Sequence, residues 1–346
     1  MLLISRRNII KSFLLSPIAV YASLFRSVQS PVRRFSKPDF EPGYLKLHQT
    51  GELKQRGEIL WEKMESCQLC PRMCGANRLK GESGFCGANS SLEISAFHPH
   101  FGEEKPLVGT GGSGTIFLTN CSLRCVFCIN WEISQGDAGS KKSIDQFANM
   151  MLQLQEMGCP NINFVTPTHY SPHILLAVDK AASKGLKVPL VYNTSGWERV
   201  EILRIIDGIV DIYLPDFKYS DSEKASKYSS GAETYPEMTK KALKEMHRQV
   251  GTAHPVENGL MQRGLMIRHL IMPNNVSGSK EVVKWIAENL PKDTYVNLMS
   301  QYTPVYKANS YPEISRRITM DEYTEVISYA KAAGLTNLEI QGYYRF

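Results

Sequence analysis

From about residue 112 to its end, the chain alternates short apolar runs with amphipathic stretches. The runs at 115–119, 161–166, 188–192, 209–214, 265–272 and 295–299 are bounded by turn residues and predict buried strands. Ser143, Ile144, Asp145 and Gln146 form a capping box opening a helix that runs to Met157 and stops at Gly158. Further helical patterns cover 172–184, 197–206, 236–249, 279–289 and 320–333. Six consecutive strand–helix units imply parallel strands joined by right-handed crossovers, an α/β fold. A doubly wound sheet would alternate in the same way, so the pattern leaves the topology open. Upstream, 38–60 reads as a polar lead-in helix, followed by a small cysteine-rich module and a connecting stretch. The expected division is a segment at 1–35, the cysteine-rich module within 36–105, and the main α/β domain at 106–346.

Composition changes this picture in one place. Of 346 residues 42% are hydrophobic, enough for a sizeable core, and the formal net charge is +6. Residues 1–37 alone carry +7, so the remaining chain nets −1 and no basic body for nucleic acid is expected. That N-terminal segment reads as a targeting sequence. Ser5, Arg6 and Arg7 followed by Asn8, Ile9, Ile10 and Lys11 resemble a twin-arginine export signal, and Val20-Tyr21-Ala22 offers small residues for cleavage. A periplasmic or exported location is expected, with a mitochondrial transit peptide or a cytoplasmic protein as alternatives. No stable membrane anchor is expected, because the apolar run is short and broken by Pro17.

Seven of the eight cysteines fall into two sets. Cys121, Cys125 and Cys128 are spaced C-x3-C-x2-C immediately after the first strand, where α/β folds place their sites. Three thiolates supply three corners of a 4Fe–4S cluster and leave its fourth iron open to a small molecule. A zinc site or a disulfide is the alternative, but zinc knuckles favour paired C-x2-C and the x3 gap fits them poorly. Cys67, Cys70, Cys74 and Cys86 follow C-x2-C-x3-C-x11-C, which suits a second 4Fe–4S cluster, a zinc ion or two disulfides. Cys159 reads as a buried, inert thiol.

The predicted strands are apolar in their bodies and polar at their C-terminal ends, the positions that face the site of a parallel barrel. They end on Thr166, Thr168 and His169, on Asn193 and Ser195, on Asp216 and Lys218, and on Asn297 and Ser300. Helix caps and turns would favour some of these residues anyway. Arg268 inside an apolar run is the sharpest case, since a buried guanidinium needs an anionic partner.

The C-x3-C-x2-C spacing, with Phe127 before its last cysteine, resembles the radical S-adenosylmethionine (SAM) enzymes. Thr166-Pro167-Thr168-His169-Tyr170, Tyr192-Asn193-Thr194-Ser195-Gly196, the run 211–218 and Arg268-His269-Leu270 resemble the branch related to pyruvate formate-lyase activating enzymes. The resemblance covers about residue 60 to the end and implies a partial (β/α)6 barrel. It implies an open iron that chelates SAM, whose reductive cleavage yields a 5′-deoxyadenosyl radical that takes hydrogen from a substrate. Phe127 would lie beside the adenine, Thr166 and Thr168 would meet the SAM amine, and Asn193 and Ser195 the ribose. Arg268 would meet the carboxylate, unless an internal acid such as Asp216 pairs with it. Asp216 and Lys218 match the Asp-x-Lys element of glycyl-radical activases, which makes a glycyl-radical protein the implied substrate. The usual Gly-Gly-Glu run is absent. A flavodoxin- or ferredoxin-type electron donor is the implied partner. A non-catalytic iron–sulfur electron carrier, or a radical SAM methyl or sulfur transferase using an auxiliary cluster, stands as the alternative.

Overall fold

The computed structural model describes residues 40–136 and 138–342, so the export segment expected at 1–35 lies outside the described residues. Among the described residues, nine strands form one sheet: β1 (Leu92–His100), β2 (Ser113–Leu118), β3 (Ser140–Lys142), β4 (Ile162–Val165), β5 (Leu190–Thr194), β6 (Ile212–Pro215), β7 (Gly264–Leu270), β8 (Tyr295–Met299) and β9 (Leu338–Ile340). The spatial order is β3-β1-β2-β4-β5-β6-β7-β8-β9. From β2 onward every pairing is parallel and follows chain order, while β1 runs antiparallel to both β2 and β3. A doubly wound sheet reverses its order at a switch point. Here no reversal occurs, and the sheet winds one way as a partial barrel does.

The predicted strands match within a few residues, and the strand 295–299 and the helix 279–289 match at both ends. The capping box at Ser143 and Gln146 forms with both reciprocal hydrogen bonds. One expectation is corrected. The lead-in helix is two helices, Gly43–Gln49 and Glu52–Glu62, because Gly51 takes a left-handed φ of 78° between them. Across residue 105, β1 pairs with β2 inside the same sheet, and the chain from Phe40 on is one compact unit. The alternation Leu92-Glu93-Ile94-Ser95-Ala96 was a legible period-2 signal for β1.

Period-2 alternation sorts each strand's residues between two faces. One face packs with the helices around Ile116, Phe164, Tyr192 and Tyr213. On the other face Val191, Ile212, Leu214 and Met266 enclose Leu107, which plugs the bottom of the sheet's concave side. One layer further along the same face come Asn193, Asp216 and Arg268, where the polar site begins. Asp211 fastens the N-terminal helices to the sheet, its carboxylate accepting from the backbone N–H of Gly43 at 3.2 Å and of Leu190 at 3.0 Å. Among the described residues no helix is long and apolar enough to cross a membrane.

Candidate active site

The loop after β2 carries the three-cysteine set. Asn120 and Arg124 adopt left-handed backbone conformations, φ 69° and 50°, which are sparsely populated by non-glycine residues and curl the loop back on itself. Its curl is held by Asn120 N–H donating to Ile133 O at 2.9 Å and Val126 N–H donating to Tyr228 O at 2.9 Å. Leu123 is buried beneath it. Cys121, Cys125 and Cys128 consequently line one cavity of about 470 Å³ at the C-terminal ends of the parallel strands. Cys125 Sγ lies 3.1 Å from Ser229 Oγ, Cys128 Sγ lies 3.2 Å from Ser134 Oγ, and Cys121 Sγ accepts from Leu123 N–H at 3.4 Å. Burial pushes the Cys125 thiol up to about 12 despite the nearby Lys218 ammonium, so a bound cation is required to keep it a thiolate at neutral pH.

The cavity also gathers Phe127, Thr166, Asn193, Ser195, Asp216, Lys218 and Arg268, residues singled out in sequence and far apart along the chain. Phe127 packs edge-on to Tyr302 and Tyr219, with ring centroids 5.9 and 6.4 Å away. Ser195 is placed by Gly196, whose φ of 80° and contact with the Asp216 carbonyl leave no room for a Cβ. Arg268 donates from Nε to Asp216 Oδ1 at 2.9 Å and from Nη2 to Asn193 Oδ1 at 2.6 Å. Lys218 Nζ donates to the other Asp216 oxygen at 2.7 Å. Burial alone would raise the Asp216 carboxyl, but Arg268 and Lys218 outweigh it and hold it below the usual range. Burial likewise opposes the charge on Lys218, yet Asp216 and Cys125 leave its ammonium raised. The anion that Arg268 requires is therefore supplied internally by Asp216, the alternative the sequence left open.

Two expected members are placed elsewhere. Thr168 does not line the cavity. Thr166 has a left-handed φ of 60°, which breaks the strand alternation, so Thr166 faces the cavity while Thr168 turns behind the wall. There Thr168 Oγ1 donates to Glu198 Oε1 at 2.5 Å. His169 is structural: its Nε2–H donates to Thr119 O at 2.8 Å, and burial with Arg78 nearby lowers its pKa to about 3.

Two acids were missed. Glu103, from the segment after β1, lines the cavity 3.6 Å from Arg268 Nη1, and burial pushes its carboxyl up to about 7 against the pull of Arg268. No sequence pattern marked it. Glu198 is fully buried behind the wall, taking hydrogen bonds from Thr168 and Thr194, while its Oε2 has no partner among the described residues. Burial pushes Glu198 up from 4.5 to about 7. The folded protein thus keeps a proton there that the unfolded chain has released, and stability falls as pH rises through that window. Glu198→Gln is expected to remove up to about 3 kcal/mol of the stability difference between pH 5 and pH 8. Urea unfolding of both proteins at the two pH values checks this, and equal pH slopes would refute it.

The four remaining clustered cysteines also converge. All eight cysteines are free thiols, and a Cβ on Gly84 would lie 3.3 Å from Cys74 Sγ and 3.5 Å from Cys86 Sγ. Among the described residues no group of three or more His, Cys, Asp or Glu side chains is set to hold a single metal ion. An iron–sulfur cluster instead places each thiolate on a separate iron. Three thiols on one wall of a roomy cavity, beside cations and hydrogen-bond donors, fit such a cluster with an open iron.

An open, largely parallel α/β sheet with three thiols and an ion-pair network at its strand ends defines a cofactor-dependent enzyme fold. The family model of the Radical SAM superfamily matches residues 115–256, and the chain belongs to that superfamily. Membership implies a 4Fe–4S cluster and SAM. An uncharacterised protein of Methanocaldococcus jannaschii is 32% identical over 290 residues, covering 80% of this chain and 78% of that protein. A second uncharacterised protein of the same organism is 21% identical over 309 residues, 81% of this chain and 86% of that protein. A radical SAM methyltransferase from Sphaerobacter thermophilus shares 13% identity with a TM-score of 0.42, over 65% of this chain and 66% of that one.

Proposed function

We propose that this chain is a radical SAM enzyme of the hydrogen-abstracting kind, with Cys121, Cys125 and Cys128 ligating three irons of its cluster. The observation that carries this reading is the convergence of these thiols with Asn193, Asp216, Lys218 and Arg268 on one cavity. The cluster, once reduced by one electron, supplies reductive cleavage of SAM and hence a radical able to take hydrogen from a substrate. The protein's own part is to bind and orient. Thr166, Asn193 and Ser195 offer hydrogen bonds along the wall, and Phe127 offers an aromatic surface. Arg268, held by Asp216 and Asn193, presents a fixed positive charge to the cavity. Lys218 keeps its ammonium through Asp216 and adds a second cation beside Cys125. Activation of a glycyl-radical protein is the substrate class supported by the Asp216-x-Lys218 element, and a flavodoxin- or ferredoxin-type protein is the electron donor. Cys67, Cys70, Cys74 and Cys86 form a second thiolate metal site. The N-terminal twin-arginine-like segment directs export.

The test is spectroscopic and chemical. After anaerobic reconstitution and reduction, SAM is expected to change the electron paramagnetic resonance (EPR) spectrum of the cluster, and 5′-deoxyadenosine is expected to form only with reductant present. A fully loaded, reducible cluster whose spectrum ignores saturating SAM would overturn the assignment.

A further inference from the structure

Among the described residues, two arginines with no carboxylate partner accompany the cysteines. Arg78 is fully buried. Its Nε and Nη2 donate to Asn89 O at 3.1 and 2.7 Å, and its Nη1 to His169 O at 2.8 Å and to Cys67 Sγ at 3.9 Å. A guanidinium does not give up its proton, and a buried charge requires a counter-charge that carbonyl dipoles do not supply. Cys67 is in contact with Arg78, and the Arg78 charge acts on the Cys86 thiol. Arg72 repeats the arrangement. Its guanidinium lies 3.9 Å from the Phe85 ring centroid and 4.9 Å from that of Trp197, and donates to Ser122 O and Ser229 O. Its acidic neighbours are Cys70 in one set, and Cys121 and Cys125 in the other.

Resting on the second metal site proposed above, we infer that Cys67, Cys70, Cys74 and Cys86 hold a group of core charge 2+, with Arg78 and Arg72 as its counter-charges. Four thiolates around a 2+ core make a dianion, and two guanidiniums neutralise it. An oxidised 4Fe–4S cubane and a zinc ion share that core charge. Arg72 has a further consequence, because it stands between the two cysteine sets. It acts as a positioning residue whose positive field favours the more negative, reduced state of the Cys121 cluster. Occupation of the second site screens that field.

The full chain carrying Cys121→Ala, Cys125→Ala and Cys128→Ala isolates the second site without any need for SAM. Anaerobically purified, it is expected to retain the iron and sulfide of one cluster, or one zinc, per chain. Metal-free protein with Cys67, Cys70, Cys74 and Cys86 titrating as free thiols or disulfides would overturn the site itself. In that background Arg78→Met, which loses the contact with Cys67, and Arg72→Gln, which loses a positive charge beside the site, are expected to release the metal to a chelator about tenfold faster. Arg72→Lys is expected to restore retention. Unchanged release in both variants would overturn the counter-charge role while leaving the metal site standing. Should Arg78→Met fail to fold, the half-buried Arg72 position carries the comparison alone. With all cysteines present, Arg72→Gln is expected to make the Cys121 cluster's midpoint potential more negative, followed by EPR titration, with Arg72→Lys recovering it. An unchanged potential would overturn the link between the two sites.

Discussion

Cys125→Ala is expected to abolish 5′-deoxyadenosine formation, leaving no more product than the wild-type protein makes without reductant. Cys125 is the most enclosed of the three thiols, bonded to Ser229 and facing Lys218, and its loop is tied by Gln135 Nε2 donating to Cys125 O at 3.0 Å. Removing it leaves two thiols, too few to anchor a cluster while keeping one iron open. Burial of an alanine there is tolerable, so the loss belongs to ligation and not to unfolding. Cys159→Ala is the contrast. That thiol is also buried, its Sγ donating to Gly111 O at 3.6 Å, but it lies outside the cavity. It is expected to cost about 1 kcal/mol of stability and no turnover. Iron content and product assayed for both variants check the pair. Wild-type turnover by Cys125→Ala protein would refute the ligand assignment.

Asp216→Asn is expected to destabilise the protein by about 3 kcal/mol at pH 7, although the two side chains have the same shape. Asp216 holds two buried cations at once, Arg268 at 2.9 Å and Lys218 at 2.7 Å. Breaking a buried pair by removing one partner leaves uncompensated charge, which costs several kcal/mol. Glu103 lies 3.6 Å from Arg268 and offsets only part of that loss, since it does not pair with Lys218. The pH dependence has a definite sign. Arg268 and Lys218, working against burial, depress the Asp216 carboxyl below its ordinary 3.8, so its contribution is complete above that value and is lost as pH falls through the folded-state pKa. The gap between the two proteins should therefore persist through neutral pH and close in acid. Urea unfolding across pH 3 to 8 measures it, and a gap under about 0.5 kcal/mol at pH 7 would mean solvent in the cavity screens the pair.

The two missed acids show where reading the chain stops. Arg268 announced itself in sequence as a cation inside an apolar strand, but its partner depended on β6 lying beside β7, which brings Asp216 into a backbone bridge with Arg268. Glu103 meets Arg268 across the cavity from a distant part of the chain, and Glu198 is buried where Thr168 and Thr194 both donate to it. Thr168 illustrates the converse: the resemblance placed it with Thr166 at the SAM amine, and the left-handed Thr166 turns it behind the wall.

The amino-acid sequence by itself determined the order of β2, β4, β5, β6, β7 and β8 with the helices between them, the Ser143 capping box, the two cysteine spacings and the polar strand ends. Those are carried by residues within a turn or two of one another, where backbone geometry links spacing to direction. Only the tertiary structure decided the one-way winding of the sheet, the pairing of Arg268 with Asp216, the placement of Glu103 and Glu198, and the pair of arginines beside the cysteines. Each of those depends on strand register and on which distant side chains share a desolvated space, where burial makes an unpaired charge too costly to leave alone.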